Sequence, residues 1–166
     1  MKLYLTLALF FISTNLFCQY SEINSNFSIT FPAKPERIKY PGDAEGFVLQ
    51  YIASNKGYTI QVISITIPVE YRDGISNSEK ENASIQFFDS YLNSVGGGVI
   101  TNQESRNIQS HKAVLYSVSL KNKLSLYKYA NFLRCFTHDY MYTIVYYHNG
   151  SLKSFDNYFN AFRIFK

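Results

Sequence analysis

The sequence predicts an α+β domain in which an antiparallel β-sheet is flanked by helices as an α/β/α sandwich. Three observations predict it. Apolar and polar residues alternate in runs of strand length, and short links join most of these runs, too short for parallel crossovers. Two segments, 76–98 and 152–162, abandon that alternation for apolar residues at helical spacing. The composition suits a packed core: charged residues are 17% and aromatics 17%, all of the latter Tyr (15) or Phe (14). A chain of 166 residues with this composition buries enough apolar surface to fold as one domain, which excludes intrinsic disorder.

The first residues read as a secretory leader. Lys2 supplies the positive start, Leu3 to Ile12 is almost unbroken apolar sequence, and Ser13-Thr14-Asn15 opens a polar break. The run is too short for a stable transmembrane anchor, and polar residues interrupt every later apolar stretch. Residues 1–18 are therefore expected to be a signal peptide, 19–26 a flexible lead-in and 27–166 the folded domain. The expected location is periplasmic or extracellular. Lipid anchoring through Cys18 is the less favoured alternative, because Phe17 stands where a lipoprotein leader carries a small residue. Once Cys18 leaves with the leader, Cys135 has no cysteine to pair with, and its apolar strand marks it as a buried small hydrophobe.

In "FSITF", Phe27, Ile29 and Phe31 share one face. Pro32 and Pro35 cannot donate to a ladder, so this strand is expected at a sheet edge or to end sharply. The runs 46–53 and 58–68 flank Ser54-Asn55-Lys56-Gly57 and form a hairpin, with Gln61, Ile63, Ile65 and Ile67 on one face. Ser76 and Glu79 then make a capping box, and Gly96 to Gly98 stop the helix. Its stripe is Ile85, Phe88, Leu92 and Val95, and its length from Ser78 to Val95 is roughly 27 Å.

Strands are expected at 99–109, 112–121, 124–137 and 141–148. In the third, Leu124, Leu126, Ala130, Phe132 and Phe136 take one face, with Lys128 and Arg134 among them. Tyr127, Tyr129, Leu133 and Cys135 take the other. Both faces are partly apolar, so both should be covered. The second cover is the closing helix, with Leu152, Phe155, Tyr158, Phe159 and Phe162 in its stripe, and "RIFK" ends the chain as a short strand.

The order of these phrases carries a resemblance. "FSITFPAKPE" follows the leader; "RNIQSHKAVLYSVSL" and "LYKYANFLRCFTHDYMYTIVYY" form a meander; "FDNYFNAFRIF" closes it. From about Phe27 to Phe165 the chain resembles the small secreted PsbP/DcrB-like domains, which share a fold with the Mog nuclear-transport factor. Ala161 stands where the closing family phrase usually has Ser. The resemblance implies an antiparallel sheet between helices. Functions in that family range from photosystem assembly to Ran binding, so it implies no particular residue role here.

The residues themselves argue against an enzyme. There is no G-x-S-x-G elbow, the acidic residues are scattered, and His111, His138 and His148 lack metal-ligand spacing. Gly96-Gly97-Gly98 follows a helix, the reverse of a phosphate loop. No cofactor is implied. The net charge of +4, from 16 basic and 12 acidic residues, is no nucleic-acid footprint, and the basic and aromatic residues of 121–134 read as a solvated strand edge over core rings. The expected function is a secreted or periplasmic non-enzymatic domain that binds a protein or cell-envelope component. The alternative is a small-ligand binder using a cleft beside the tyrosine-rich hairpin, with Tyr127, Tyr129, Tyr140 and Tyr142 as candidate lining residues.

Overall fold

A computed structural model of the protein describes residues 20–23, 26–39, 48–55, 57–74, 76–121, 126–150 and 155–165. The leader, Cys18 and Leu152 lie outside the described residues. Among the described residues, ten strands and two α-helices follow in order: β1 (Tyr20–Ile23), β2 (Phe27–Phe31), β3 (Glu36–Ile38), β4 (Val48–Asn55), β5 (Tyr58–Thr66), α1 (Asn77–Ser94), β6 (Gly98–Ile108), β7 (His111–Leu120), β8 (Tyr129–Phe136), β9 (Tyr140–His148), α2 (Phe155–Ala161) and β10 (Arg163–Ile164). A 3₁₀ turn spans Val69–Tyr71.

Seven strands form one sheet in the order β3-β4-β5-β9-β8-β7-β6, with every neighbour antiparallel. The expected hairpin is present as β4–β5, from Val48↔Ile65 to Asn55↔Tyr58. β5 and β9 lie inside the sheet and are buried on both faces, which explains their nearly continuous apolar runs.

α1 keeps the start the sequence announces. Glu79 N–H donates to Ser76 Oγ at 3.3 Å, and Ser76 N–H donates to Glu79 Oε2 at 2.8 Å. The Ser76 hydroxyl also donates to Glu79 Oε2 at 2.7 Å, and this bond, with that from Ser76 N–H, holds the Glu79 carboxyl below its ordinary range. At the other end Gly97 N–H donates to Leu92 O at 2.8 Å, with Gly96 and Gly97 at φ +94° and +78°, a backbone that glycine adopts readily. Gly98 is needed for a different reason. A Cβ there would lie 2.5 Å from Val118 Cγ1 and 3.0 Å from Ser119 O, so its bareness lets β6 leave the helix against β7.

The stripe of α1 departs from expectation at one position. Phe88 and Leu92 are buried, but Ile85 is 45% exposed. Phe87 and Tyr91 also turn inward, Phe87 against Arg134 and Tyr91 against Phe132. At 100° per residue this centres the stripe about 90° away from Ile85. Beneath the helix, Phe88 and Leu92 pack with Tyr116, Val118, Ala130, Phe132 and Val145.

The opposite face corrects the sandwich. Its cover is mostly a second, three-stranded sheet, β1-β2-β10, and α2 is a helix of only 7 residues beside it. The polar segment expected as a loose lead-in supplies β1, paired from Tyr20↔Phe31 to Ile23↔Ser28. β2, expected at an edge or to end sharply, is central in this sheet and ends sharply before Pro32. The cause is the alternation of "FSITF". Its three inward side chains, Phe27, Ile29 and Phe31, are each at most 1% exposed, and pairing on both sides satisfies the backbone of a strand buried that deeply. Phe155, Phe162 and Ile164 join them against Tyr51, Ile60, Val62, Leu133, Tyr142, Ile144 and Tyr146 of the large sheet.

β8 starts later than expected. Leu126, expected on one face with Ala130 and Phe132, precedes the strand and is 83% exposed. Leu124 lies outside the described residues. Among the described residues no helix is long and apolar enough to cross a membrane.

Candidate functional site

Polar residues interrupt the apolar face shared with the small sheet where β7, β8 and β9 run side by side. The register sets Ser117 opposite Asn131 and Tyr129 opposite His148. Asn131 is 1% exposed and His148 is 6% exposed. Ser117 Oγ donates to Asn131 Oδ1 at 3.0 Å, and the Asn131 amide nitrogen lies 2.8 Å from His148 Nε2. Gly150 N lies 3.3 Å from His148 Nδ1, and Thr101 Oγ1 donates to Ser117 O at 3.1 Å. These residues, with Val118, Tyr129 and Ala130, line an open depression of about 230 Å³.

Tyr129 forms its aromatic wall. The ring is stacked on His148, with centroids 5.6 Å apart. His148 is stacked in turn on Tyr146 at 5.0 Å, and Tyr146 packs on Phe155 at 5.5 Å. A column of rings therefore runs from the core to the exposed Tyr129. Burial lowers the pKa of His148 below its ordinary 6.5, which keeps the imidazole neutral at pH 7.

The candidate tyrosines are divided among different places. Tyr129 lines the depression. Tyr127 lies towards α1, stacked on Tyr147 at 5.9 Å, with its hydroxyl 2.7 Å from Thr59 Oγ1. Nearby, Tyr91 OH donates to Gln61 Oε1 at 2.5 Å and lies 2.8 Å from Tyr147 OH. Tyr140 and Tyr142 belong to the far end of β9, their rings 5.8 Å apart. Tyr142 is 1% exposed and donates to Asn26 O at 3.3 Å; burial raises its pKa. The four do not share one cleft. Asn131 and His148, absent from the candidate set, hold the centre of the depression. The available signal was Asn131 itself, a polar residue inside the apolar run "YANFLRCF".

Other reactive side chains have structural settings. Cys135 is buried, and burial pushes its thiol up to about 12. Arg134 lies under α1 near the rings of Phe87 and Phe136, at 5.4 and 5.7 Å, and donates to Met141 Sδ at 3.2 Å. Burial lowers it to about 10, which still leaves it charged at neutral pH. His138 bridges Asp139 at 2.8 Å and Asp73 at 3.1 Å on the surface, and Arg72 reaches Asp139 at 3.1 Å. Among the described residues no group of three His, Cys, Asp or Glu side chains is arranged to hold a metal ion.

The two perturbed histidines should titrate in opposite directions. Hydrogen bonds to Asp73 and Asp139 raise His138 above 6.5, while burial lowers His148. The His138 contribution to stability is present below pH 6.5 and is lost as pH rises through its raised folded value. The His148 contribution is present above pH 6.5 and is lost as pH falls towards its depressed value. Imidazole NMR titration should place the His138 midpoint above that of His148; the reverse order would refute the assignment of His148 as a buried neutral ring.

This architecture, a large antiparallel sheet with a helix on one face and a small sheet and short helix on the other, is a PsbP-like α+β fold. It is shared with the solution structure of cyanobacterial PsbP (CyanoP) from Synechocystis sp. PCC 6803, at a TM-score of 0.62 and 11% identity over 92% of this chain and 96% of that one. No protein-family model matches the chain, and no curated protein sequence matches it.

Proposed function

We propose that the protein is exported, to the periplasm or beyond the cell, and is a non-enzymatic domain that binds a protein or cell-envelope component. The observation that carries the binding part of this reading is β6, while export rests on the leader pattern of the first 18 residues. β6 is the terminal strand of the large sheet and spans 11 residues, with Val99 to Gln103 exposed in succession. Val99 is 49% and Ile100 44% exposed. Sheet edges of this length are usually shortened, charged or covered, because a free ladder invites another chain. An extended segment of a partner can add there through backbone hydrogen bonds.

Affinity capture from an envelope fraction, with mass spectrometry of the retained proteins, tests the reading. The double variant Val99→Lys, Ile100→Lys should lose the captured partner while keeping its stability within about 0.5 kcal/mol, the usual range for surface substitutions. Equal capture by both forms would refute binding through this edge. A second reading, a small-ligand binder, is favoured by the depression, where an exposed ring stands over buried, hydrogen-bonded polar groups.

A further inference from the structure

We infer that the depression beside Tyr129 binds a neutral saccharide; the inference rests on the small-ligand reading. A sugar ring presents an apolar C–H face and a rim of hydroxyls, and the depression offers a complement to each. Tyr129 is 41% exposed, has one ring face against His148, and borders the depression. The stack behind it, through His148, Tyr146 and Phe155, holds the exposed ring in place before any ligand arrives. An aromatic face with its negative quadrupole receives C–H groups. Thr101 and Ser117 also line it, and their hydroxyls both donate and accept, as sugar hydroxyls do; Asn131, 1% exposed, lies beneath them. The Asn131 amide is oriented by Ser117 and His148 on either side.

The lining selects against other ligands. Among the described residues, none of the eight that line the depression carries a charge while His148 is neutral, so they offer an anion no counter-charge and a metal ion no carboxylate. The depression is open, which leaves the outer hydroxyl face of a saccharide hydrated. A planar heteroaromatic ligand would stack on one side and leave its second face in water.

The test is amide-resolved NMR titration of the purified protein with maltose, cellobiose and N,N′-diacetylchitobiose, with adenosine as the planar comparison. At least one disaccharide should shift the amides of Thr101, Ser117, Tyr129, Asn131 and Gly150 saturably. Tyr129→Ala should weaken that binding at least tenfold, and Tyr129→Phe should retain it, because the ring face and not the hydroxyl makes the contact. Ser117→Ala should weaken it several-fold. Preserved amide dispersion in Tyr129→Ala shows that the variant folds. Saccharide binding that Tyr129→Ala leaves unchanged, or shifts confined to other surfaces, would overturn the inference. Adenosine shifting these amides while no disaccharide does would overturn the saccharide and keep the small-ligand reading; silence from all four probes would remove both.

Discussion

Phe27→Ala is expected to lower the unfolding free energy by about 3–5 kcal/mol, the range for deleting a fully buried phenylalanine. Phe27 is 0% exposed. Its ring meets Tyr51 at 6.2 Å, Tyr142 at 5.9 Å and Phe162 at 5.8 Å, so one side chain joins the small sheet, the large sheet and the link that follows α2. The ladder within the small sheet is short on one side: β10 pairs with β2 through two residues, Arg163 and Ile164. Domains of this size have about 5–15 kcal/mol in total, so the loss is a large share. Urea unfolding would measure it, and a thermal midpoint lowered by about 10 °C should accompany it. Hydrogen exchange should accelerate first in β1, β2 and β10. A cost below about 1 kcal/mol would mean that the small sheet is not part of the cooperative core.

Phe132→Ala should cost a similar amount, about 3–5 kcal/mol, through the other face. Phe132 is also 0% exposed, and it is the floor on which α1 sits. Phe88, Tyr91 and Tyr147 surround it at 5.1, 5.8 and 6.4 Å, all edge-on. An isolated helix of this length is marginal in water, so α1 depends on that seat. The variant should lose far-UV helical signal before the sheet melts, whereas Phe27→Ala should leave α1 protected. Phe132→Leu, which keeps much of the volume, should cost less than half as much. Loss of both layers together in either variant would show that the two cores are energetically one.

The contrast between these cores also shows where local information stops. The capping box of Ser76 and Glu79 and the turn between Asn55 and Tyr58 were legible because each is settled by residues a few positions apart. The apolar alternation of "FSITF" was equally legible, but not its destination. Nothing in those five residues says that β1 and β10 will flank them, since β10 lies more than a hundred positions along the chain. Ile85 illustrates the same limit in a helix. Its spacing from Phe88 and Leu92 fits a stripe, yet the rotation of α1 is decided by what Phe87 and Tyr91 find on the sheet.

The candidate site was the least legible part. Tyrosines are conspicuous in the sequence, so Tyr127, Tyr129, Tyr140 and Tyr142 looked like one group. Strand direction separates them, because Tyr129 lies opposite His148 while Tyr140 and Tyr142 stand at the other end of β9. By itself the sequence determined the α+β class, eight of the ten described strands, the ends of α1 and most of the apolar faces, since propensity, periodicity and capping act over a few residues. The tertiary structure alone decided the second sheet, the rotation of α1, and the meeting of Ser117, Tyr129, Asn131 and His148. Those depend on register between strands, and register is selected only when distant faces are buried together.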